Sequence, residues 1–141
     1  MSTTETLSVV VERDIPFPPE KIGRALTEPK LIEEWLMKND FKPEVGHHFN
    51  LSQDWGTLDC QVVAVETYRK LSYTWNFAHD DPAYNMKSVV LWTLTPIANG
   101  THLRMQHQGF RSDQQAAFNG AKWGWQKFMG NLEQLVARSA A

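Results

Sequence analysis

Apolar and polar residues alternate most cleanly between Leu71 and Phe77. Leu71, Tyr73, Trp75 and Phe77 are apolar, and Ser72, Thr74 and Asn76 between them are polar. That period of two is what a half-buried strand requires. In Leu7 to Ile15, Leu7, Val9, Val11 and Ile15 share a face, with Arg13 among them. Phe49 to Ser52, Leu58 to Glu66, Val89 to Leu94 and Thr101 to Gln108 also read as strands. In the last of these, Leu103, Met105 and His107 oppose His102, Arg104, Gln106 and Gln108. Pro96 is expected to end the strand before it, and Asn99-Gly100 to turn the hairpin. His79 to Asn85, with Asp80, Asp81 and Pro82, reads as a loop.

Two short helices are expected after the first strand. Pro19 sits well in a first helical turn and Glu20 favours the same turn, so Glu20 to Thr27 reads as a helix. Pro29 restarts the chain, and Lys30 to Met37 reads as the second. Near the C-terminus the period changes. Asp113 is a candidate N-cap. Phe118, Ala121, Trp125, Phe128, Met129, Leu132 and Val136 then follow helical spacing and make one broad apolar stripe. The fold class is therefore α+β: an antiparallel sheet of about six strands packed on a long C-terminal helix. Leu71, Tyr73, Trp75, Val90, Trp92, Leu94, Leu103 and Met105 are expected to face that helix. Gly120, Gly124 and Gly130 each cost a helix roughly 1 kcal/mol relative to Ala. Either the helix starts later or kinks, or the glycines allow close backbone approach or room for a ligand.

Composition narrows the class. The 141 residues suit one domain over 1–141, with its core in 7–137. Hydrophobic residues at 42% argue against disorder, and a net charge of −2 argues against a nucleic-acid partner. The lone Cys60 excludes an internal disulfide. Met1 to Glu5 has no basic leader, and the apolar run Leu7 to Val11 is too short to span a bilayer, so a cytoplasmic location is expected.

Catalytic chemistry finds little support in the motifs. His47 and His48 are adjacent, His102 and His107 oppose, and no CxxC, HxxxH or HExxH occurs, so no metal site is expected. Cys60 reads as a small buried hydrophobe, and Glu33-Glu34 as a solvated helix face. No GxSxG elbow or phosphate-binding glycine loop supports nucleophilic chemistry, and no cofactor is expected. The aromatic residues are the informative set. Sixteen of them exceed what a minimal core needs, and they read either as plain core or as the walls of an adaptable apolar pocket.

A run of phrases carries a family resemblance. Pro18-Pro19-Glu20-Lys21-Ile22 leads to Ala25-Leu26-Thr27-Glu28-Pro29 and Trp35, then to Leu71-Ser72-Tyr73-Thr74-Trp75 and Trp92-Thr93-Leu94-Thr95-Pro96. Gly100-Thr101-His102-Leu103, His107-Gln108-Gly109-Phe110, Gly124-Trp125 and Leu132 follow. In this order they resemble the family named after the heat-shock-protein-90 ATPase activator, within the START-like (SRPBCC) superfamily. The resemblance implies a helix-grip fold, with a curved sheet wrapped around the long helix and a cavity between them. It tips the aromatic residues toward a pocket lined by Phe49, Leu51, Tyr73, Trp75, Trp92, Met105, His107, Trp125, Phe128 and Met129. The implied activity is binding of a hydrophobic small molecule of lipid, polyketide or aromatic type. The alternatives are an enzyme of cyclase, dehydratase or hydrolase type, with His107 its best candidate acid or base, and a module that stimulates a chaperone ATPase. Trp123 lies two residues from Trp125, about 200° around a helix. It should face away from the sheet, as the anchor of a homodimer or partner contact, unless a kink turns it under a loop.

Overall fold

The computed structural model describes residues 6–54, 56–78, 80 and 85–138. Its elements run β1 (Thr6–Ile15), α1 (Pro19–Thr27), α2 (Pro29–Trp35), β2 (Lys38–Asn39), β3 (His48–Gln53), β4 (Gly56–Glu66), β5 (Lys70–Phe77), β6 (Met86–Ile97), β7 (Gly100–Arg111) and α3 (Gln115–Arg138). All seven strands form one open antiparallel sheet in the order β1-β7-β6-β5-β4-β3-β2.

The register shows why the alternation fixes a single buried face. Val9 pairs with His107, His107 with Val90, Val90 with Tyr73 and Tyr73 with Val62. A second row runs Val11, Met105, Trp92, Leu71 and Val65. Neighbours directly opposite in a ladder share a face, so both rows lie on the face that α3 and the short helices cover, with His107 a polar member among apolar ones. A one-residue slip would turn every one of them outward. Ser72 and Thr74 lie on the opposite face. Thr74 Oγ1 there accepts the Gln61 backbone N–H at 2.8 Å.

Three sequence expectations are corrected. The sheet has seven strands, because Lys38–Asn39 pairs with Leu51 and Ser52. Strand β6 continues through Pro96 to Ile97, opposite Thr101 and Gly100. Proline is tolerated there because Leu94 N–H points to the β5 side, toward the Arg69 carbonyl oxygen, so residue 96 faces that side too, beyond the last β5–β6 pair at Lys70 and Thr93, where no N–H is needed. The long helix begins at Gln115, so Asp113 is not its cap; Asp113 Oδ1 instead accepts Arg111 Nε at 3.1 Å. Gly120, Gly124 and Gly130 do not delay the helix, which runs unbroken from Gln115 to Arg138.

Two tight approaches hold the periphery. A Cβ on Gly100 would lie 2.1 Å from the Ile15 carbonyl oxygen, so the β6–β7 turn closes on the end of β1 only with glycine. Tyr68, in the β4–β5 turn, has φ +62°. This left-handed conformation costs a bulky residue about 1–2 kcal/mol. Its ring lies on Gly23 of α1, where a Cβ would come within 2.6 Å of Tyr68 Cδ1.

Candidate functional site

Helix α3 presents two faces to the rest of the chain. Trp125, Met129, Leu132 and Val136 are buried against the sheet and the short helices. Ala117, Gly120, Ala121 and Gly124, at i, i+3, i+4 and i+7, form a neighbouring flank of small side chains. Facing this flank are Trp75 and Phe77 of β5, Met86 of β6, Leu58 of β4 and Met37 beyond α2. The helix there carries nothing large enough to reach them, so a cleft of about 200 Å³ remains, completed by His107, Trp125 and Phe128. A Cβ added to Gly120 would meet no atom within 4 Å, and one on Gly124 only Phe128 Cε2 at 3.9 Å. Packing does not require these glycines.

Among the described residues His107 is the one polar side chain on the wall, and its hydrogen bonds are used up. Trp125 Nε1–H donates to His107 Nδ1 at 2.8 Å. Nδ1 is thus an acceptor, and the ring proton sits on Nε2. From there it is donated to Ser88 Oγ at 2.8 Å. Ser88 in turn donates to the Trp75 carbonyl oxygen at 2.5 Å. Each donor has its acceptor only while the imidazole is neutral. Burial agrees, holding the His107 pKa down to about 3 from an ordinary 6.5. Trp75, Phe110 and Trp125 surround the ring, with centroids 5.3, 4.6 and 5.8 Å away. A histidine so enclosed is a structural part of the wall.

Of the ten residues expected to line a pocket, Trp75, His107, Trp125 and Phe128 meet at the cleft. The other six lie in the packed core. Phe49 packs edge-on against Phe41 and Tyr73, at 5.0 and 5.4 Å. Trp92 donates its indole N–H to the Tyr73 hydroxyl at 3.0 Å and meets Trp35 at 5.6 Å. Leu51, Met105 and Met129 are equally buried. The sequence reading did not assign Met37, Leu58, Phe77, Met86, Ala117, Gly120, Ala121 or Gly124 to the wall. The helical spacing of the last four was the signal that could have found them.

Other candidate groups carry no chemistry at this cleft. Cys60 is buried, and desolvation, helped by the Asp59 charge, pushes its thiol up to about 12, leaving it protonated. Glu33 and Glu34 are exposed, and Glu34 lies 3.8 Å from Arg138. Residues 79 and 81–84 of the β5–β6 loop lie outside the described residues, as do Met1 to Glu5. Among the described residues no three His, Cys, Asp or Glu side chains converge as metal ligands, and no helix is long and apolar enough to cross a membrane. Trp123 is 71% exposed, with Lys127 Nζ 5.8 Å from its ring centroid, so it is not tucked under a loop.

An open antiparallel sheet gripping a long C-terminal helix, with two short helices after the first strand, defines the START-like helix-grip class, a ligand-binding fold in general. Within it, the chain belongs to the Activator of Hsp90 ATPase homolog 1-like family, whose model matches residues 16–137. The crystal structure of protein MLL2253 from Mesorhizobium loti is similar over 96% of this chain and all of its own, at 62% identity and a TM-score of 0.92. The solution structure of Bacillus halodurans protein BH1534 shares 28% identity over 95% of this chain and 99% of its own, with a TM-score of 0.79. DynU16, from the dynemicin biosynthetic locus, shares the fold at 24% identity and a TM-score of 0.80; the match covers 93% of this chain and 47% of DynU16. No curated protein matches the chain.

Proposed function

We propose that the cleft beneath the N-terminal half of α3 binds a small apolar molecule, of the size of one or two fused rings. The small-residue flank carries this reading. Gly120 and Gly124 together cost the helix about 2 kcal/mol relative to Ala, by helix propensity, and no neighbour requires either. What they leave is space walled by aromatic and thioether groups. A cavity of roughly 150 Å³ with such a lining takes benzene, so about 200 Å³ suits an aromatic body somewhat larger. Among the described residues the wall offers no ionisable group free to move a proton, which favours binding over the enzyme reading.

The neutral dye N-phenyl-1-naphthylamine tests this. It is expected to bind one per chain and to quench the fluorescence of Trp75 and Trp125. Ala121→Phe, which fills the cleft, should weaken binding at least tenfold. Gly130→Ala lies off the cleft, and should leave affinity unchanged while stabilising the helix by about 1 kcal/mol. Unchanged dye affinity in a folded Ala121→Phe protein would sink the reading.

The exposed Trp123 supports a second role beside the first, a homodimer contact. Lys122, Gln126 and Lys127 surround it with polar groups, the rim expected of an interface anchor. Light scattering over a hundredfold range of concentration is expected to show a dimer that Trp123→Glu converts to a folded monomer. A wild-type mass equal to one chain throughout would remove this role.

A further inference from the structure

A second cavity, of about 210 Å³, opens away from α3, between α1 and the turn joining β4 to β5. Its chemistry is the opposite of the first. The floor is apolar, made by Leu26 of α1, Leu71 of β5 and Leu94 of β6. The rim holds three cations, Arg24, Arg69 and Lys70, against one carboxylate, Glu66. Among the described residues none of these three cationic side chains makes an ion pair or a side-chain hydrogen bond. The chain's other arginines are engaged: Arg13 with Glu133, Arg104 with Glu12, Arg111 with Asp113 and Arg138 with Glu34.

The wall of this cavity is built at a cost to the backbone. A tight turn is served best by Gly or Asn where φ is positive, yet Tyr68 occupies that position at +62°. What tyrosine adds is its ring, which lies on Gly23 and closes the gap between the turn and α1. Gly23 in turn must lack a Cβ for the ring to fit. Residues from two elements, each unusual for its local structure, thus combine to enclose an apolar hollow beneath three unpaired cations.

We propose that this α1/β4–β5 cavity is a second ligand site, for an organic anion with an apolar body: an aryl or short-chain alkyl group on Leu26, Leu71 and Leu94, its carboxylate or phosphate head against Arg24, Arg69 and Lys70. Charge-assisted hydrogen bonds to guanidinium and ammonium groups fix the head. The hollow accepts the body without exposing it to water.

The test uses 2-naphthoate, 2-naphthyl phosphate and the neutral isostere 2-naphthamide, followed through the backbone amide resonances of the labelled protein. The naphthoate or the phosphate, whichever binds tighter, is expected to shift Gly23, Tyr68 and Leu94 saturably. That anion should bind at least tenfold more tightly than the amide, and its identity assigns the head group. The double substitution Arg69→Gln/Lys70→Gln should weaken that anion at least tenfold. These side chains are exposed, so the fold and the binding of N-phenyl-1-naphthylamine at the other cleft should persist. Equal affinity for amide and anions, unchanged affinity in the double variant, or shifts confined to Gly120 and Gly124 would each overturn the proposal.

Discussion

Lowering the pH from 6.5 to 3 is expected to strip several kcal/mol of stability from the protein, and His107→Phe to remove most of that loss. The folded state holds the His107 pKa near 3 by burial, against 6.5 for the free side chain. Between these values the unfolded chain binds a proton that the folded chain refuses. Stability therefore falls as pH falls, by up to about 1.4 kcal/mol per unit, with a ceiling of about 4–5 kcal/mol. The hydrogen bonds give the same sign. A proton on Nδ1 would face the Trp125 indole N–H, setting donor against donor. Removing the imidazole leaves that indole unpaired, so His107→Phe should be less stable at neutral pH by about 1–3 kcal/mol, with a flatter acid profile. Urea unfolding at half-unit pH steps measures both. An acid slope as steep in the variant as in the wild type would show that His107 is not the group responsible.

Trp125→Ala is expected to cost about 3–5 kcal/mol, the range for deleting a large core aromatic. Its ring meets Trp75, Trp92 and Phe128 at 5.2, 5.7 and 5.6 Å. Among the described residues its N–H is the one partner of His107 Nδ1. Losing that donor leaves Nδ1 free to accept a proton, so acid unfolding should begin at higher pH in this variant. Two residues away, Trp123→Ala should change the stability of the single chain by less than about 0.5 kcal/mol, as exposed positions generally do. Parallel urea titrations of the two variants separate them. Similar losses at the two positions would mean that the exposure assigned to Trp123 is wrong.

The sheet was legible because its signal is repetitive. Leu71, Tyr73, Trp75 and Phe77 alternate without exception, and the parity read within each strand is the parity found across the ladders. Lys38–Asn39 could not be seen, since two polar residues become a strand only by pairing with Leu51 and Ser52. The end of β6 was misread because Pro96 breaks a ladder only where its missing N–H is needed. Asp113 looked like a cap by residue type, but it lies one residue ahead of the cap position and its carboxylate is engaged by Arg111. The site was half legible. Trp75, His107, Trp125 and Phe128 belong to the same inward set as Phe49, Tyr73 and Trp92, and nothing in that parity says which of them face a gap. The gap is set by what is small on the other side, at Ala117, Gly120, Ala121 and Gly124.

That small flank separates two properties usually coupled in a protein interior. In a packed core, one added methylene strains its neighbours, so changes of shape and losses of stability travel together. At Gly120 and Gly124 an added methyl group meets little or nothing. Substitutions there alter the volume of the cleft one group at a time while the rows of the sheet and the Trp125–His107–Ser88 chain stay as they are. On the proposed function, selectivity would thereby be adjustable along a single helix face, at positions where an added carbon strengthens the helix rather than weakening it.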